Sequence, residues 1–370
     1  MAGSGEVSVR ETRRVLGILK DLISIRSENP PGGSREILGY VKSFISTHTR
    51  ARVVYQRVSK TRGNVIAVFG NPHILLNAHL DTVPAAGRWK HGPFHMVRTP
   101  KRVYGLGATD VKGAVAAMLA ALQQRPPQNL MFVFNADEED GLGESISYFL
   151  DSAYARRIEH AIVTEPTRCN IVTSHKGLYI FQTVFRGKAA HASEPHQGVN
   201  AIEKAAGFIR VLQKYHDRIK KRRYGNLRNP TISVDVITGG TKSNIVPDTC
   251  RFEIDRRTLP GVDHRQAAHE IRVLLKRYDP TARLKVLCSQ PGFASTVSQK
   301  FMDMLVSCGA HTGCSVANFW TEGALFAGAG MKTVVCGPGS SRQAHTTDEF
   351  IEQRELKKAY QLYHRLFALL

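Results

Sequence analysis

The chain has 370 residues, of which 42% are hydrophobic and 22% are charged, and its formal net charge is +20. At this length two domains are expected, because single hydrophobic cores stop growing at roughly 250–300 residues. The longest apolar stretch, around Ala114 to Leu122, is far shorter than the ~20 residues that cross a bilayer, which excludes a membrane-spanning protein.

Two further features concern the compartment. The start, MAGSGEVSVRETRR, has no apolar segment behind its charges, so we expect no secretory signal. The six cysteines form no CxxC pair, which is typical of reduced thiols. We therefore expect a cytoplasmic protein.

Helix and strand patterns alternate over the first 175 residues. Two amphipathic helices are predicted over Val9–Ile25 and Arg35–Thr47. Three short apolar runs, Ile74–Leu76, Met131–Phe134 and Ala161–Val163, are predicted to be strands. This alternation indicates an α/β domain.

From Leu178 the pattern changes to strand, helix, strand, strand, helix, strand. These elements are predicted over Tyr179–Phe185, Asn200–Lys221, Thr231–Ile237, Arg251–Arg257, His264–Tyr278 and Leu284–Leu287. This order is that of a ferredoxin-like unit. After about Gln290 the helix–strand alternation resumes, so the unit is predicted to be an insertion. The predicted division is residues 1–176 and 290–370 for one domain and 177–289 for the inserted one.

Acid and imidazole side chains follow the predicted strands or precede a helix. They are His79, Asp81, Asp110, Glu138, Glu139, Glu165 and His345. Because strand carboxyl ends form the crevice of open α/β sheets, we expect most of these side chains to converge there. Asp110 precedes the Ala-rich run VKGAVAAMLAALQQ, where it could cap a helix as well as reach a metal. Imidazoles mixed with carboxylates are ligands that zinc favours.

The segments HxD, GxxDxKG, DEExG, TEP and AHTxDE, in this order, resemble the M20 family of metal-dependent aminoacylases and peptidases over nearly the whole chain. The stretch FWTEGALFAGAGMKTVVCGPGSSRQAHTTDEF is similar to that of the family's deacetylases of N-acetylornithine and N-acetylcitrulline. The resemblance implies an α/β fold, with a mixed-sheet, di-zinc exopeptidase-like catalytic domain and an inserted ferredoxin-like dimerisation domain.

The resemblance also implies a ligand set for two zinc ions per subunit, for which cobalt can substitute. Asp110 would bridge the two metals, with His79 and Glu165 on one and Glu139 and His345 on the other. Glu138 would be the general base, and Asp81 would orient His79.

These implied roles agree with elementary chemistry. Two divalent cations about 3.5–4 Å apart can share a water, lower its pKa and polarise a carbonyl. A carboxylate that is not a ligand must then move the proton, and in the adjacent Glu138–Glu139 pair one side chain can face the metal and the other the water. A carboxylate two residues after His79 suits the task of holding the second ring nitrogen, which we assign to Asp81.

Three residues of the insertion resemble functional positions of the family. His191, in AAHASEP, would steady the oxyanion in the neighbouring subunit's site, which requires a homodimer joined through the inserted domain. Asn244 would be a further polar contact. Arg257 would bind the substrate's α-carboxylate, since guanidinium pairs with carboxylate through two hydrogen bonds.

The basic residues are dispersed, with one dense run from Lys214 to Arg228. Lysine and arginine attract phosphate, but no nucleic-acid-binding motif accompanies this run, and we do not expect a nucleic acid partner. We interpret the run as a solvated helix end that Gly225 stops.

The expected function is hydrolysis of the amide of a small acylated amino acid, with N-acetyl-L-ornithine first, giving ornithine and acetate in arginine biosynthesis. N-acetylcitrulline and succinyl-diaminopimelate are the alternative substrates. The alternative from another class is a basic binding protein on a hydrolase scaffold that has lost its activity. An intact proton-transfer pair, Glu138 and Asp81, argues against that alternative.

Overall fold

The computed structural model describes residues 7–32 and 35–370. The chain forms two compact units, the first comprising Met1–Thr173, Ser295–Ser315 and Thr321–Leu370 and the second Ser174–Ala294 and Val316–Trp320. Residues 1–6, which belong to the segment used above to exclude a secretory signal, lie outside the described residues. Among the described helices, none has the length and apolar character that crossing a bilayer demands.

The first unit combines helices with a central sheet. Its elements are α1 Val9–Ser24, α2 Arg35–His48, β1 Arg52–Arg57, β2 Gly63–Val68, β3 Ile74–His79, β4 Val97–Arg98, β5 Arg102–Tyr104, α3 Lys112–Gln124, β6 Met131–Asn135, α4 Glu144–Leu150 and β7 His160–Val163, and after the second unit's segments α7 Gln299–Cys308, α8 Gly323–Gly328, β15 Lys332–Val335, β16 Phe350–Glu352 and α9 Gln353–Leu369. The second unit contains β8 Ser174–His175, β9 Gly177–Arg186, α5 Ala201–Ile219, β10 Thr231–Gly239, β11 Thr249–Thr258, α6 His264–Tyr278, β12 Arg283–Gln290, β13 Phe293–Ala294 and β14 Val316–Ala317.

The central sheet of the first unit has six strands in the order β1-β2-β6-β3-β7-β15. Strands β6, β3, β7 and β15 are mutually parallel, whereas β1 and β2 pair antiparallel. Strands β3, β6 and β7 are mostly apolar and almost completely buried, as expected for strands that are covered on both faces. This arrangement confirms the predicted α/β class with a mixed sheet.

The topology brings three predicted site segments to one edge of this sheet. His79 is the last residue of β3, Glu138 and Glu139 come three and four residues after the end of β6, and Glu165 comes two residues after β7. Because β3, β6 and β7 are parallel neighbours, their carboxyl ends meet at the same edge.

Helix α3 lies in the centre of the first unit. It is buried on all sides from Lys112 to Leu122 and packs against α1 and α9. A helix that is apolar around its whole circumference is expected to be buried, and its alanines allow close approach of the neighbours. The capping role considered for Asp110 is wrong, because the helix begins after Val111 and no side chain caps it.

The second unit has a four-stranded antiparallel sheet in the order β10-β11-β9-β12. Its element order, β9-α5-β10-β11-α6-β12, is the one that the sequence predicts. Phe208 of α5 packs against Phe185 and Phe252 of the sheet. Helix α5 ends at Ile219, so the first part of the basic run, from Lys214, does form a helix end. Gly225 does not stop this helix, because residues 220–228 lie in the connection that follows.

Candidate metal centre

The Asp110 carboxylate lies between two imidazoles. Its Oδ1 is 3.2 Å from Nε2 of His79, and its Oδ2 is 3.6 Å from Nε2 of His345. Glu165 Oε1 lies 3.9 Å from Nε2 of His79, and Glu139 Oε2 lies 3.1 Å from Nε2 of His345. Within each set the candidate ligand atoms lie within 4.8 Å of one another. The structure thus brings together two sets of one imidazole and two carboxylates that share Asp110, a donor chemistry that fits zinc.

Asp81 is fully buried beside both sets. Nδ1 of His79, the ring nitrogen that faces away from Asp110, lies 3.1 Å from the backbone oxygen of Asp81 and 3.4 Å from its Oδ1. The same carboxylate accepts hydrogen bonds from the backbone N–H groups of Glu138 at 3.3 Å and Glu139 at 3.1 Å, and from Nδ2 of Asn29 at 3.0 Å. Asp81 therefore orients an imidazole and holds the backbone of the glutamate pair.

The protonation of these groups depends on their shared burial. Burial raises the pKa of Glu139 and of Glu165. Burial opposes protonation of His79, but hydrogen bonds to Asp110 and Asp81 raise its pKa well above the ordinary value. The hydrogen bond to Glu139 raises the pKa of His345 to about 9. A divalent cation reverses such shifts, because metal ligands must be deprotonated to bind.

Glu138 belongs to neither ligand set. Burial raises its pKa well above the ordinary carboxyl value, and the neighbouring Glu139, Asp81 and Asp110 raise it further. A carboxyl group whose pKa is raised by burial takes up a proton more readily than an exposed one.

Three residues beside the site were given no role in the sequence analysis. Glu349 is buried and accepts hydrogen bonds from three backbone N–H groups of residues 107–110. Lys112 is only 1% exposed, and its Nζ donates to the backbone oxygen of Ile25 at 3.0 Å. Arg62 forms an ion pair with Asp140, the residue that directly follows the glutamate pair. A lysine inside an apolar helix was a detectable signal, whereas Arg62 lies in an ordinary polar turn.

His191 and Asn244 lie on adjacent segments of the second unit. The backbone N–H of Ala192 donates to the oxygen of Asn244 at 3.0 Å, and both side chains are exposed. The backbone N–H of Ser193 donates to Nδ1 of His191 at 3.2 Å. The same Nδ1 lies 2.6 Å from Oγ of Ser193, and when Nδ1 accepts from both groups the neutral ring carries its proton on Nε2.

Arg257 lies on β11 of the second unit and is paired with Asp255. Its Nε and Nη2 donate to the two oxygens of Asp255 at 2.8 and 3.0 Å. Lys176 precedes β9, whose Leu178 pairs with Arg257, and it is 3% exposed. Burial and the nearby guanidinium groups of Arg257 and Arg228 lower the pKa of Lys176. This end of the sheet therefore concentrates positive charge.

Comparison with known proteins gives the family. Residues 75–368 match the model of peptidase family M20/M25/M40. The chain is 33% identical over 330 residues to acetylornithine deacetylase of Proteus mirabilis, covering 84% of each chain. It is 30% identical over 366 residues to N-acetyl-L-citrulline deacetylase of Xanthomonas campestris pv. campestris, covering 94% of this chain and 96% of that one.

Among solved structures, an M20 family metallo-carboxypeptidase from Sulfolobus solfataricus has the same fold, with a TM-score of 0.79 at 18% identity over 96% of this chain and 98% of that one. These matches confirm the M20 resemblance and the expectation of a hydrolytic enzyme. The chain belongs to peptidase family M20/M25/M40.

Proposed function

We propose that the protein is a zinc-dependent deacetylase that hydrolyses the amide of an N-acetyl amino acid, N-acetyl-L-ornithine first, giving ornithine and acetate. One observation carries this proposal: two ligand sets share Asp110, and Glu138 stands beside them outside both sets. The relatives named acetylornithine deacetylase and N-acetyl-L-citrulline deacetylase support the same chemistry.

In this proposal His79, Glu165, Asp110, Glu139 and His345 would hold two divalent cations, which when bound would lower the pKa of a water and polarise the scissile carbonyl. Glu138 takes the proton of the attacking water on its carboxylate and delivers it to the nitrogen of the leaving amine. Burial, which raises the pKa of Glu138 above the ordinary carboxyl value, supports uptake of the proton by this side chain.

The second unit contributes recognition of the substrate. We infer that Arg257 binds the α-carboxylate of the acylated amino acid, with Lys176 as a second cation. Lys176, Arg257 and Arg228 together carry more positive charge than the one paired carboxylate, Asp255, offsets, and this supports an anionic ligand here. We further infer that Nε2 of His191 donates to the oxyanion of the tetrahedral intermediate, with Asn244 as a further polar contact. A donor of this kind typically contributes about 2.7–4 kcal/mol.

A homodimer joined through the second unit is part of the proposal. Strand β10 lies at one edge of the unit's sheet and exposes Val236 and Ile237, and Ile202 at the start of α5 is exposed as well. An edge strand with apolar side chains is suited to pair with another chain, which supports an interface here. The cytoplasmic location stays a prediction.

The test is a turnover assay that compares N-acetylornithine, N-acetylcitrulline and succinyl-diaminopimelate on one batch of protein, loaded with zinc or with cobalt. We expect the acetylated substrates to be hydrolysed, with N-acetylornithine fastest. N-acetylcitrulline remains the second candidate, because the relative of that name aligns with 94% of this chain. Faster turnover of the succinylated substrate would reverse the order. Absence of turnover on all three with metal bound would overturn these substrates, direct the search to other acylated amino acids or dipeptides, and raise the binding-protein alternative.

A further inference from the structure

The buried carboxylate of Glu349 binds the turn that carries Asp110. Its Oε2 accepts a hydrogen bond from the backbone N–H of Gly107 at 2.8 Å. Its Oε1 accepts from the N–H groups of Thr109 at 2.8 Å and of Asp110 at 3.1 Å. Three of four consecutive residues of the turn are therefore held by one side chain.

The backbone of Glu349 is fixed to the same segment. Its carbonyl oxygen accepts from the N–H of Gly105 at 3.0 Å. Glu349 directly precedes β16, which pairs antiparallel with β5, so that Phe350 lies opposite Tyr104. The pairing of β16 with β5 therefore fixes the backbone of Glu349 next to the turn that its carboxylate binds.

Burying this carboxylate has an energetic cost that the turn offsets. Glu349 is 2% exposed, and a buried charge is costly unless it is hydrogen-bonded and compensated. The three N–H groups and the buried ammonium of Lys112 offset part of that cost. Burial and the nearby Asp110 still raise the pKa of Glu349 to about 8. Conversely, the N–H groups of a buried turn lose their partners if the carboxylate is removed.

The same short segment carries a second candidate ligand. His345 lies four residues before Glu349, and Asp348 between them accepts from the N–H groups of Lys90 at 2.8 Å and His91 at 3.1 Å. Segment 345–349 therefore presents His345 to one ligand set and at the same time fixes the turn that presents Asp110 to both sets.

We propose that Glu349 is a positioning residue that fixes the Gly107–Asp110 turn, and through it the Asp110 carboxylate, for metal binding. This inference rests on the proposed metal site. Partners that orient metal ligands typically change metal affinity by 10–100-fold when they are removed. Glu349 acts on Asp110 in that way without contacting the metal or the substrate itself.

The test is titration of chelator-treated protein with Co²⁺, followed by calorimetry and by the visible absorption of the bound ion. In Glu349→Gln the amide nitrogen cannot accept a hydrogen bond, so at least one N–H of the turn loses its partner. We expect cobalt affinity to fall by about 10–100-fold and the absorption spectrum to change, because the geometry around Asp110 changes. The matched control is Glu352→Gln. Glu352 lies three residues after Glu349 in the chain, and its carboxylate pairs with Arg354, so this substitution removes a charge without affecting the turn.

Three outcomes decide the matter. Cobalt affinity and spectrum of Glu349→Gln equal to those of Glu352→Gln would overturn the proposal, even if the variant unfolds more easily, because a purely structural role moves stability alone. If Glu349→Gln does not fold, Glu349→Asp takes its place, compared with Glu352→Asp, and equal affinity again overturns it. Wild-type protein that binds no metal would overturn the proposed metal site itself, which separates that failure from this one.

Discussion

The carboxylate of Asp81 accepts a hydrogen bond from the backbone N–H of Glu139 at 3.1 Å, although 58 positions separate the two residues in the chain. Asp81 follows β3 and Glu139 follows β6, so the parallel pairing of these strands creates the contact. The same carboxylate lies 3.4 Å from Nδ1 of His79. One buried side chain thus links a candidate ligand from each of the two metal sets.

Asp81→Asn is expected to weaken metal binding. The side-chain amide of asparagine keeps one acceptor oxygen, but its NH₂ group must face either Nδ1 of His79 or a backbone N–H of the glutamate pair. The side chain therefore no longer holds both ligands, His79 and Glu139, in place. We expect cobalt affinity to fall by about 10–100-fold, the range for partners that orient ligands. Calorimetric titration measures this, with Asp151→Asn as the control because Asp151 is exposed at the end of α4. Equal affinities in the two variants would contradict the role of Asp81.

Glu138→Gln is expected to keep metal binding and lose turnover. The side chain belongs to neither ligand set, but its carboxylate is the proposed proton carrier. We expect kcat to fall by at least ~10²-fold, the usual contribution of a general base. Asp140→Asn is the neighbouring control, because Asp140 pairs with Arg62 and lies outside both ligand sets. Turnover near the wild-type value with full metal occupancy would remove Glu138 from the role.

The sequence predicts much of the fold and of the candidate metal site. Apolar runs before His79, Glu138 and Glu165 predict strands, and parallel strands bring their carboxyl ends together. The distribution of Asp110's two oxygens between His79 and His345 is a finding of the structure, since no pattern in the sequence specifies the direction of a carboxylate.

Glu349 and Lys112, which escaped prediction, act through contacts with backbone atoms. Glu349 is the last residue of the AHTxDE segment, but nothing in that segment indicates that its carboxylate accepts from N–H groups about 240 positions earlier in the chain. The capping role of Asp110 was wrong because of tertiary contacts as well. An acidic residue before an apolar helix commonly caps it, but the carboxylate of Asp110 lies against the imidazoles of His79 and His345.

The charge of His345 makes stability depend on pH when the metal is removed. Its pKa is raised from 6.5 to about 9, mainly by the hydrogen bond to Glu139. A raised folded-state pKa gives stability that is fully present below pH 6.5 and is lost as the pH rises through 9. We therefore expect the free energy of unfolding of chelator-treated protein to decrease across this window.

Denaturant titrations of chelator-treated protein at several pH values across that window measure the effect. His345→Gln should reduce the decrease, because glutamine does not titrate. Bound metal should also reduce the decrease in stability with pH, since a metal ion binds the neutral form of the His345 imidazole. The side chain is 55% exposed, so solvent screening keeps the effect small, and the comparison with His345→Gln is more informative than its size. The same slope in both proteins would contradict the assignment.

His191→Ala tests whether the site is completed by a second subunit. We expect the variant to bind metal normally and to lose turnover, because Nε2 of His191 is the proposed donor to the oxyanion. Mixing it with Glu138→Gln should restore turnover after subunit exchange: in a mixed dimer, one site then has an intact Glu138 and receives His191 from the other chain. Each variant incubated alone is the control for slow refolding. Mixed dimers that form but stay inactive would show that His191 acts within its own subunit or outside catalysis.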